Sequence, residues 1–335
     1  MDTTSMESAL SLGWNEWFQA ALDRDADSKA LPARVIGQGK GHYQIQPIAS
    51  EAIEAVITSR FHKTIKEPSQ YPTVGDWVAF APGEDNRQGK IHRILDRKNF
   101  LQRQRSGAQK GVQLIAANVD HMLIVSSFNE DFDLKRIGRY VALGKEAGCP
   151  TYLIMTKADI CEDREAYLEK LKAEYRDLEV FPTSSTDEES LIPLKRFFSP
   201  GMTTVLVGSS GVGKSTLTNY LLGFDSQKTQ GLSAGSRGRH TTTSRDLRLT
   251  RWGGLVIDTP GMQEISVVDE QEELEEQFAD IEETMLRCKF TNCQHKNEPG
   301  CAIIGDQKSG KLSRERWENY LDAMASVKRR TRRPR

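Results

Sequence analysis

The chain of 335 residues is poor in cysteine, with five, and poor in aromatics, at 7% of the sequence. Five cysteines are too few for a disulfide scaffold, and a chain of this length buries enough surface without one. No apolar run approaches the ~18–20 residues that cross a bilayer. Met1–Leu10 carries neither a basic stretch nor an apolar stretch of a secretory signal. The expectation is a cytoplasmic protein with no membrane contact, of two or three domains. Net charge is nearly absent too, at −1, which removes overall charge as a guide to partners.

The balance hides segregation. Residues 31–110 hold thirteen Lys/Arg against seven Asp/Glu, and seven of those bases lie between Lys90 and Lys110 (Lys90, Arg93, Arg97, Lys98, Arg103, Arg105, Lys110) beside one acid, Asp96. Lys328–Arg335 is a basic tail, whereas Asp269–Glu283 is acidic. Any one such run is an ordinary solvated face; basic patches towards both ends of the chain point to a polyanion such as RNA.

Residues 1–30 are acidic with isolated apolar positions Leu12, Trp14, Trp17 and Phe18, a pattern for a helix docked by its aromatic face. Short apolar runs at Ala33–Ile36, Tyr43–Ile48, Glu54–Ser59, Asp76–Phe80 and Lys90–Leu95, punctuated by Gly and Pro, predict five strands and a small barrel. An OB-type barrel is the commoner basic module of this size, and an SH3-like barrel has a similar strand count. After Leu114 the pattern turns α/β. Strands are predicted at Val119–Ser126, Thr151–Met155, Leu178–Phe181 and Met202–Val207, with helices at Leu134–Ala147, Glu162–Arg176 and from Lys214 to Leu222. Leu247–Thr250 and Gly254–Ile257 read as an antiparallel or paired edge set, and apolar strands alternating with helices predict a mostly parallel sheet.

Gly208-Ser209-Ser210-Gly211-Val212-Gly213-Lys214-Ser215, followed by Thr216, joins an apolar strand to a helix. This is the G-x-x-x-x-G-K-[ST] pattern, in which glycines turn backbone N–H groups onto phosphates. Lys214 then reaches the β/γ-phosphates and Ser215 offers its hydroxyl to Mg²⁺. Asp258-Thr259-Pro260-Gly261 ends the next apolar strand; Asp258 suits the Mg²⁺ shell and the Gly261 N–H the γ-phosphate. Between them Gly238-Arg239-His240-Thr241-Thr242-Thr243 suits closure over Mg²⁺ and the γ-phosphate, with Thr243 the Mg²⁺ candidate.

Thr156-Lys157-Ala158-Asp159 follows a strand and fits a guanine reader, the carboxylate accepting from N1–H and the N2 amine. Ser184 and Ser185, after the next strand, stand where a loop would back the base. The base-reading segments thus precede the phosphate loop, the order of a circular permutation, and the γ-phosphate elements lead into the carboxyl-terminal region. That region holds Cys288-x4-Cys293-x-His295-x5-Cys301, a closed Cys3His set for one structural zinc.

In joint order these stretches resemble the RsgA/YjeQ family of small-ribosomal-subunit-dependent GTPases. The segments are Val74–Val78, TKAD at Thr156–Asp159, GSSGVGKST at Gly208–Thr216, GRHTTT at Gly238–Thr243, DTPG at Asp258–Gly261 and Cys288–Cys301. The resemblance covers about residues 35–320. It implies a cytoplasmic GTPase, slow alone and stimulated by the small (30S) subunit, acting late in that subunit's maturation. Two positions depart from the commonest pattern: Thr156 where Asn is usual and Ser185 where Ala is common. Met262 follows DTPG where many small G proteins carry a water-orienting Gln, so His240 becomes the candidate for positioning water.

The expected fold is multidomain α/β. Its parts are an extension at 1–32, an OB-type RNA-binding barrel at 33–108, a circularly permuted P-loop GTPase domain at 109–267 with motif order G4-G5-G1-G2-G3, a helical zinc-binding domain at 268–327 and a basic tail at 328–335. GTP or GDP, the 30S subunit and its rRNA are the expected partners of a monomer. The rival readings are an ATP-using P-loop enzyme, an NTPase on another structured RNA, and an RNA-binding zinc protein whose nucleotide site is silent.

Overall fold

The computed structural model describes residues 3–24, 30–39, 41–48, 50–83, 88–105, 111–209, 211–224, 246–258, 278–290 and 293–332. They belong to two compact units, Met1–Met262 and Gln263–Arg335.

The first unit begins with two helices, α1 (Thr3–Ser11) and α2 (Glu16–Asp23). Asn15 caps α2, its side-chain oxygen accepting from Trp17 N at 3.1 Å. Trp14, Phe18 and Ala21 are buried, and the Trp14 and Trp77 rings meet edge-on at 4.7 Å between centroids. Trp17 stays half-exposed, its indole N–H donating to Asp96 O. The aromatic face expected of this segment is therefore a docking face for Trp14 and Phe18 but not for Trp17.

Five strands follow: β1 (Leu31–Gln38), β2 (Tyr43–Pro47), β3 (Ile53–Ile57), β4 (Trp77–Pro82) and β5 (Gln88–Ile94). Alternate positions Ala33, Val35, Ile45, Ala55, Val78, Phe80 and Ile91 point inward and form one core cluster. β1 pairs with both β2 and β4, and β3 runs parallel to β5, so the ring closes in the order 1-2-3-5-4. That closure is OB-type and decides between the two barrels. The strand expected at Glu54–Ser59 stops at Ile57. Thr58 then caps the short helix α3 (Ser59–Thr64) by accepting from Phe61 N at 3.2 Å.

A two-stranded hairpin, β6 (Phe100–Arg105) with β7 (Gly111–Ala117), was not foreseen in the sequence and straddles the expected 108/109 boundary. Beyond it come β8 (His121–Ser127), α4 (Leu134–Glu146), β9 (Thr151–Thr156), α5 (Arg164–Glu174), β10 (Val180–Pro182), β11 (Thr203–Val207), α6 (Lys214–Leu221), β12 (Asp246–Leu249) and β13 (Leu255–Asp258). Their order across the sheet is β10-β9-β8-β11-β13-β12, parallel except for β12. A 3-10 segment, Glu189–Phe198, was also missed. Pro193 has no N–H for an α-helical bond, and a three-residue period instead puts Leu191, Leu194 and Phe197 on one buried face.

The two sheets are continuous. β12 pairs with β1 at Gly37↔Asp246, so barrel and α/β layer share eleven strands. Arg34 on β1 is wholly buried over the Trp77 ring. It donates to Leu12 O, Gly75 O, Asn118 O and Thr203 Oγ1, tying α1, the barrel and the start of β11 together.

The second unit has α7 (Ala279–Leu286), α8 (Ala302–Lys308) and α9 (Arg314–Arg332) around a small core of Phe278, Ile281, Cys301, Ile303, Leu312 and Tyr320.

Candidate functional site

The phosphate loop leaves the carboxyl end of β11, the central parallel strand, and enters α6. Gly208 is pressed so closely on β8 that a Cβ there would lie 2.2 Å from Val125 O, and Gly213 takes φ +89° at the helix N-cap. Both need glycine, which is why the motif is legible in the sequence. Lys214 Nζ donates to Gly208 O at 2.8 Å; burial pulls its ammonium down, and the charge of Asp258 opposes that. Asp258 ends β13, where burial pushes its carboxyl up and Lys214, then Arg248, pull it back. The Lys214 ammonium and the Asp258 carboxylate therefore each favour the other's charged form. Ser215 and Thr216 are exposed at the start of α6, Val212 is buried, and Gly211 is exposed.

The segment from Thr156 to Asp159 joins this loop directly. The Thr156 hydroxyl lies 2.5 Å from Val212 O and 3.1 Å from Ser126 O, so the threonine that stands where asparagine is usual ties the candidate base-reading turn to the phosphate loop. Lys157 is left-handed at φ +60° and lies 3.6 Å from Asp131. Ala158 is buried, and its N–H donates to Thr183 O. Asp159 is exposed; hydrogen bonding, Ser184 first and then its own backbone N–H, holds its carboxyl below the usual range. Thr186 Oγ1 donates to Asp159 at 3.2 Å and lies 2.8 Å from Ser184 Oγ, while Ser185 faces solvent. Thr186 and Asp131 were not singled out in the sequence, because their partners lie in other loops. Ser210, His240, Thr243 and Gly261 lie outside the described residues.

The basic run Lys90–Lys110 is partly consumed inside the fold. Arg97 lies against buried Asp76 with two donor contacts of 2.8 Å and also reaches Ser69 O and Tyr71 O. Arg93 donates to Ala21 O and Leu22 O at the end of α2, where cations complement the helix dipole. Arg103 bonds Gln113 across the hairpin, and Lys98 lies over the Phe18 ring. Arg93, Arg97 and Arg103 of this run are thus engaged within the fold, whereas Lys90 and Lys98 are exposed.

In the second unit Cys288, Cys293, His295 and Cys301 bring their ligand atoms within 4.8 Å of one another. His295 Nδ1 is 3.6 Å from Cys288 Sγ and 3.5 Å from Cys301 Sγ. A tetrahedral zinc, with Zn–S ~2.3 Å and Zn–N ~2.0–2.1 Å, has S–N edges of about 3.5–3.6 Å, so the donor set and spacing fit one zinc. Glu298, in the connecting turn, accepts from the N–H groups of Gln294, Lys296 and Asn297 at 2.8–3.0 Å. These bonds, Gln294 foremost, pull its carboxyl down to about 2. Its support of the loop is therefore complete above pH about 4.5 and is lost as pH falls towards about 2.

A parallel sheet with the Thr156–Asp159 turn, the Gly208–Ser215 loop and Asp258 all at strand carboxyl ends, in permuted chain order behind an OB-type barrel, defines a circularly permuted GTPase. A family model described as RsgA GTPase matches residues 94–268. The chain is 38% identical over 311 residues to Small ribosomal subunit biogenesis GTPase RsgA 2 of Vibrio vulnificus (strain CMCP6), covering 92% of this chain and 85% of that one. It is 38% identical over 327 residues to Small ribosomal subunit biogenesis GTPase RsgA of Mesorhizobium japonicum, covering 96% and 91%. The crystal structure of YjeQ from Thermotoga maritima shares the fold, with a TM-score of 0.52 at 24% identity over 89% of this chain and 98% of that one. The chain belongs to the RsgA GTPase family. Among the described residues no helix is long and apolar enough to cross a membrane.

Proposed function

We propose that this GTPase acts in late maturation of the small ribosomal subunit, its relatives being named small ribosomal subunit biogenesis GTPases, and works as a cytoplasmic monomer on the 30S particle and its rRNA. The observation that carries the nucleotide half of this reading is the Thr156–Val212 hydrogen bond, a direct contact between the Thr156–Asp159 turn and the Gly208–Ser215 loop that supports their acting as one site. In it Gly208–Thr216 receive the phosphates of GTP or GDP, and Thr156–Asp159 with Ser184 and Ser185 receive guanine. Lys214 neutralises the β/γ-phosphates, Ser215, Thr243 and Asp258 hold Mg²⁺, Gly261 meets the γ-phosphate, and His240 orients water. When bound, Mg²⁺ offsets charge on the β- and γ-oxygens.

The division of labour follows the expected parts. The barrel of residues 33–108 meets rRNA, supported by Arg60, Lys63, Lys66 and Lys90, all exposed. Residues 109–267 hydrolyse GTP, and residues 268–327 hold one structural zinc through Cys288, Cys293, His295 and Cys301. Residues 1–32 buttress the barrel, and the tail 328–335 adds positive charge for RNA.

The deciding measurement is GTP hydrolysis by the purified protein alone, with small subunits and with large subunits. A large rise confined to small subunits is expected. Equal rates in all three, with GTP bound, overturn the subunit assignment and leave another structured RNA as the partner. With the subunit present, His240→Ala should abolish stimulation while keeping nucleotide binding; retained stimulation removes His240 from its role.

A further inference from the structure

The phosphate loop has a second cation that its motif does not contain. Arg136 stands in the first turn of α4, which Asp133 caps by accepting from Arg136 N at 3.1 Å. Its side chain is 18% exposed. One terminal nitrogen, Nη1, lies 3.2 Å from Ser209 Oγ, and the other, Nη2, lies 3.6 Å from the Asp133 carboxylate. Nε is buried and has no hydrogen-bond partner. A guanidinium is always charged and offers five donors in a rigid fork, so this one is both largely desolvated and incompletely spent. Asp133 alone is a loose counter-ion at that separation.

Ser209 is buried and follows Gly208, whose backbone is already pressed on Val125 O. Its hydroxyl is therefore a handle on the turn between Gly208 and Gly211, where backbone N–H groups must converge on phosphate oxygens. Fixing that handle in advance removes part of the ordering cost of binding. The charge acts as well, since a positive group partly out of water beneath an anion cradle is weakly screened and favours the more anionic ligand.

We infer that Arg136 is a positioning residue for the phosphate loop, acting through Ser209 and favouring GTP over GDP. The inference rests on the reading of Gly208–Ser215 as the nucleotide's phosphate site. It adds to that site a cation from a helix that precedes the loop by some seventy residues, as the permuted chain order allows.

The test is equilibrium binding of fluorescent GDP and of a non-hydrolysable fluorescent GTP analogue to full-length R136Q, R136K, S209A, R136Q/S209A and K214A proteins, with melting of each nucleotide-free protein alongside. R136Q should weaken the GTP analogue about tenfold and GDP about threefold or less, the scale of one charge-assisted hydrogen bond. Its nucleotide-free melting temperature should stay at the wild-type value. R136K keeps the charge and should restore most of the GTP/GDP ratio. The double variant should bind no worse than R136Q, because Arg136 acts through the hydroxyl.

Wild-type affinities in R136Q, equal losses for both nucleotides with a lowered melting temperature, or additive effects of the two substitutions would each overturn the inference. Should R136Q not fold, S209A decides. A loss of GTP analogue that exceeds the loss of GDP supports the role, and unchanged binding of both refutes it. Undiminished binding in K214A would instead sink the phosphate-loop reading itself, which separates the two failures.

Discussion

The two compact units hold together by different means. In Met1–Met262 the described core is built from several large apolar clusters. One gathers Leu123, Val125, Ile154, Phe197, Leu206 and Val256, and another Trp14, Phe18, Trp77 and Leu95. In Gln263–Arg335 the described core is six buried side chains, one of them the candidate zinc ligand Cys301, with Cys288 and Cys293 packed at its edge. A core that small rarely secures a fold without a staple. The difference teaches that the same residues serve as ligands and as core in the second unit. The first unit instead keeps its ligand-facing side chains, such as Lys214 and Asp159, apart from those that fill its interior.

Metal removal is the strongest way to break the comparison. Stripping zinc from the full chain should unfold the second unit, since such sites contribute on the order of 10 kcal/mol, and leave the first unit folded. Circular dichroism with limited proteolysis reads both. A cleavage pattern unchanged by chelation would show that the six-residue core suffices.

The next effect belongs to the first unit. Arg97→Met leaves Asp76 buried and unpaired and should cost about 3–5 kcal/mol in chemical denaturation. The same substitution with Asp76→Asn should recover most of it. Zinc content should not change in either variant.

Glu298→Gln keeps the shape of the turn and removes its carboxylate. Zinc affinity should fall about tenfold by competition with a chromogenic chelator, while nucleotide binding is untouched. The smallest effect is Trp17→Ala, which removes a half-exposed ring and one hydrogen bond; about 1 kcal/mol or less of first-unit stability should be lost. A loss as large as that of Arg97→Met would mean that the amino-terminal helices are as integral to the barrel as its own strands.

What was legible in the sequence was whatever local backbone geometry or ligand spacing dictates. Gly208 and Gly213 are glycine because no other residue fits, and the Cys/His spacing closes a ring by itself. The barrel strands announced themselves as short apolar runs broken by Gly and Pro, as at Ala33–Ile36 and Tyr43–Ile48. Long-range polar contacts left no such mark. Arg34 meets Thr203 across 169 positions, and Arg136 meets Ser209 across 73; neither has a local reason to be arginine. For the same reason the internal partners of Arg93 and Arg97 left no mark in the basic run, since a charge run looks alike whether its partners are phosphates or carbonyls. The Glu189–Phe198 segment was hidden for another reason, its period of three falling between the helical and strand templates.

The pairing of β12 with β1 also bears on how this protein can be divided. β12 is hydrogen-bonded to β13 on one side and to the barrel at Gly37 on the other. Excising residues 1–108 would uncover β12 at Asp246, adding exposed strand edge of the kind that recruits a second copy strand to strand. The barrel is in this sense a partial edge guard for the GTPase sheet, and a GTPase fragment freed of it should self-associate more than the whole chain.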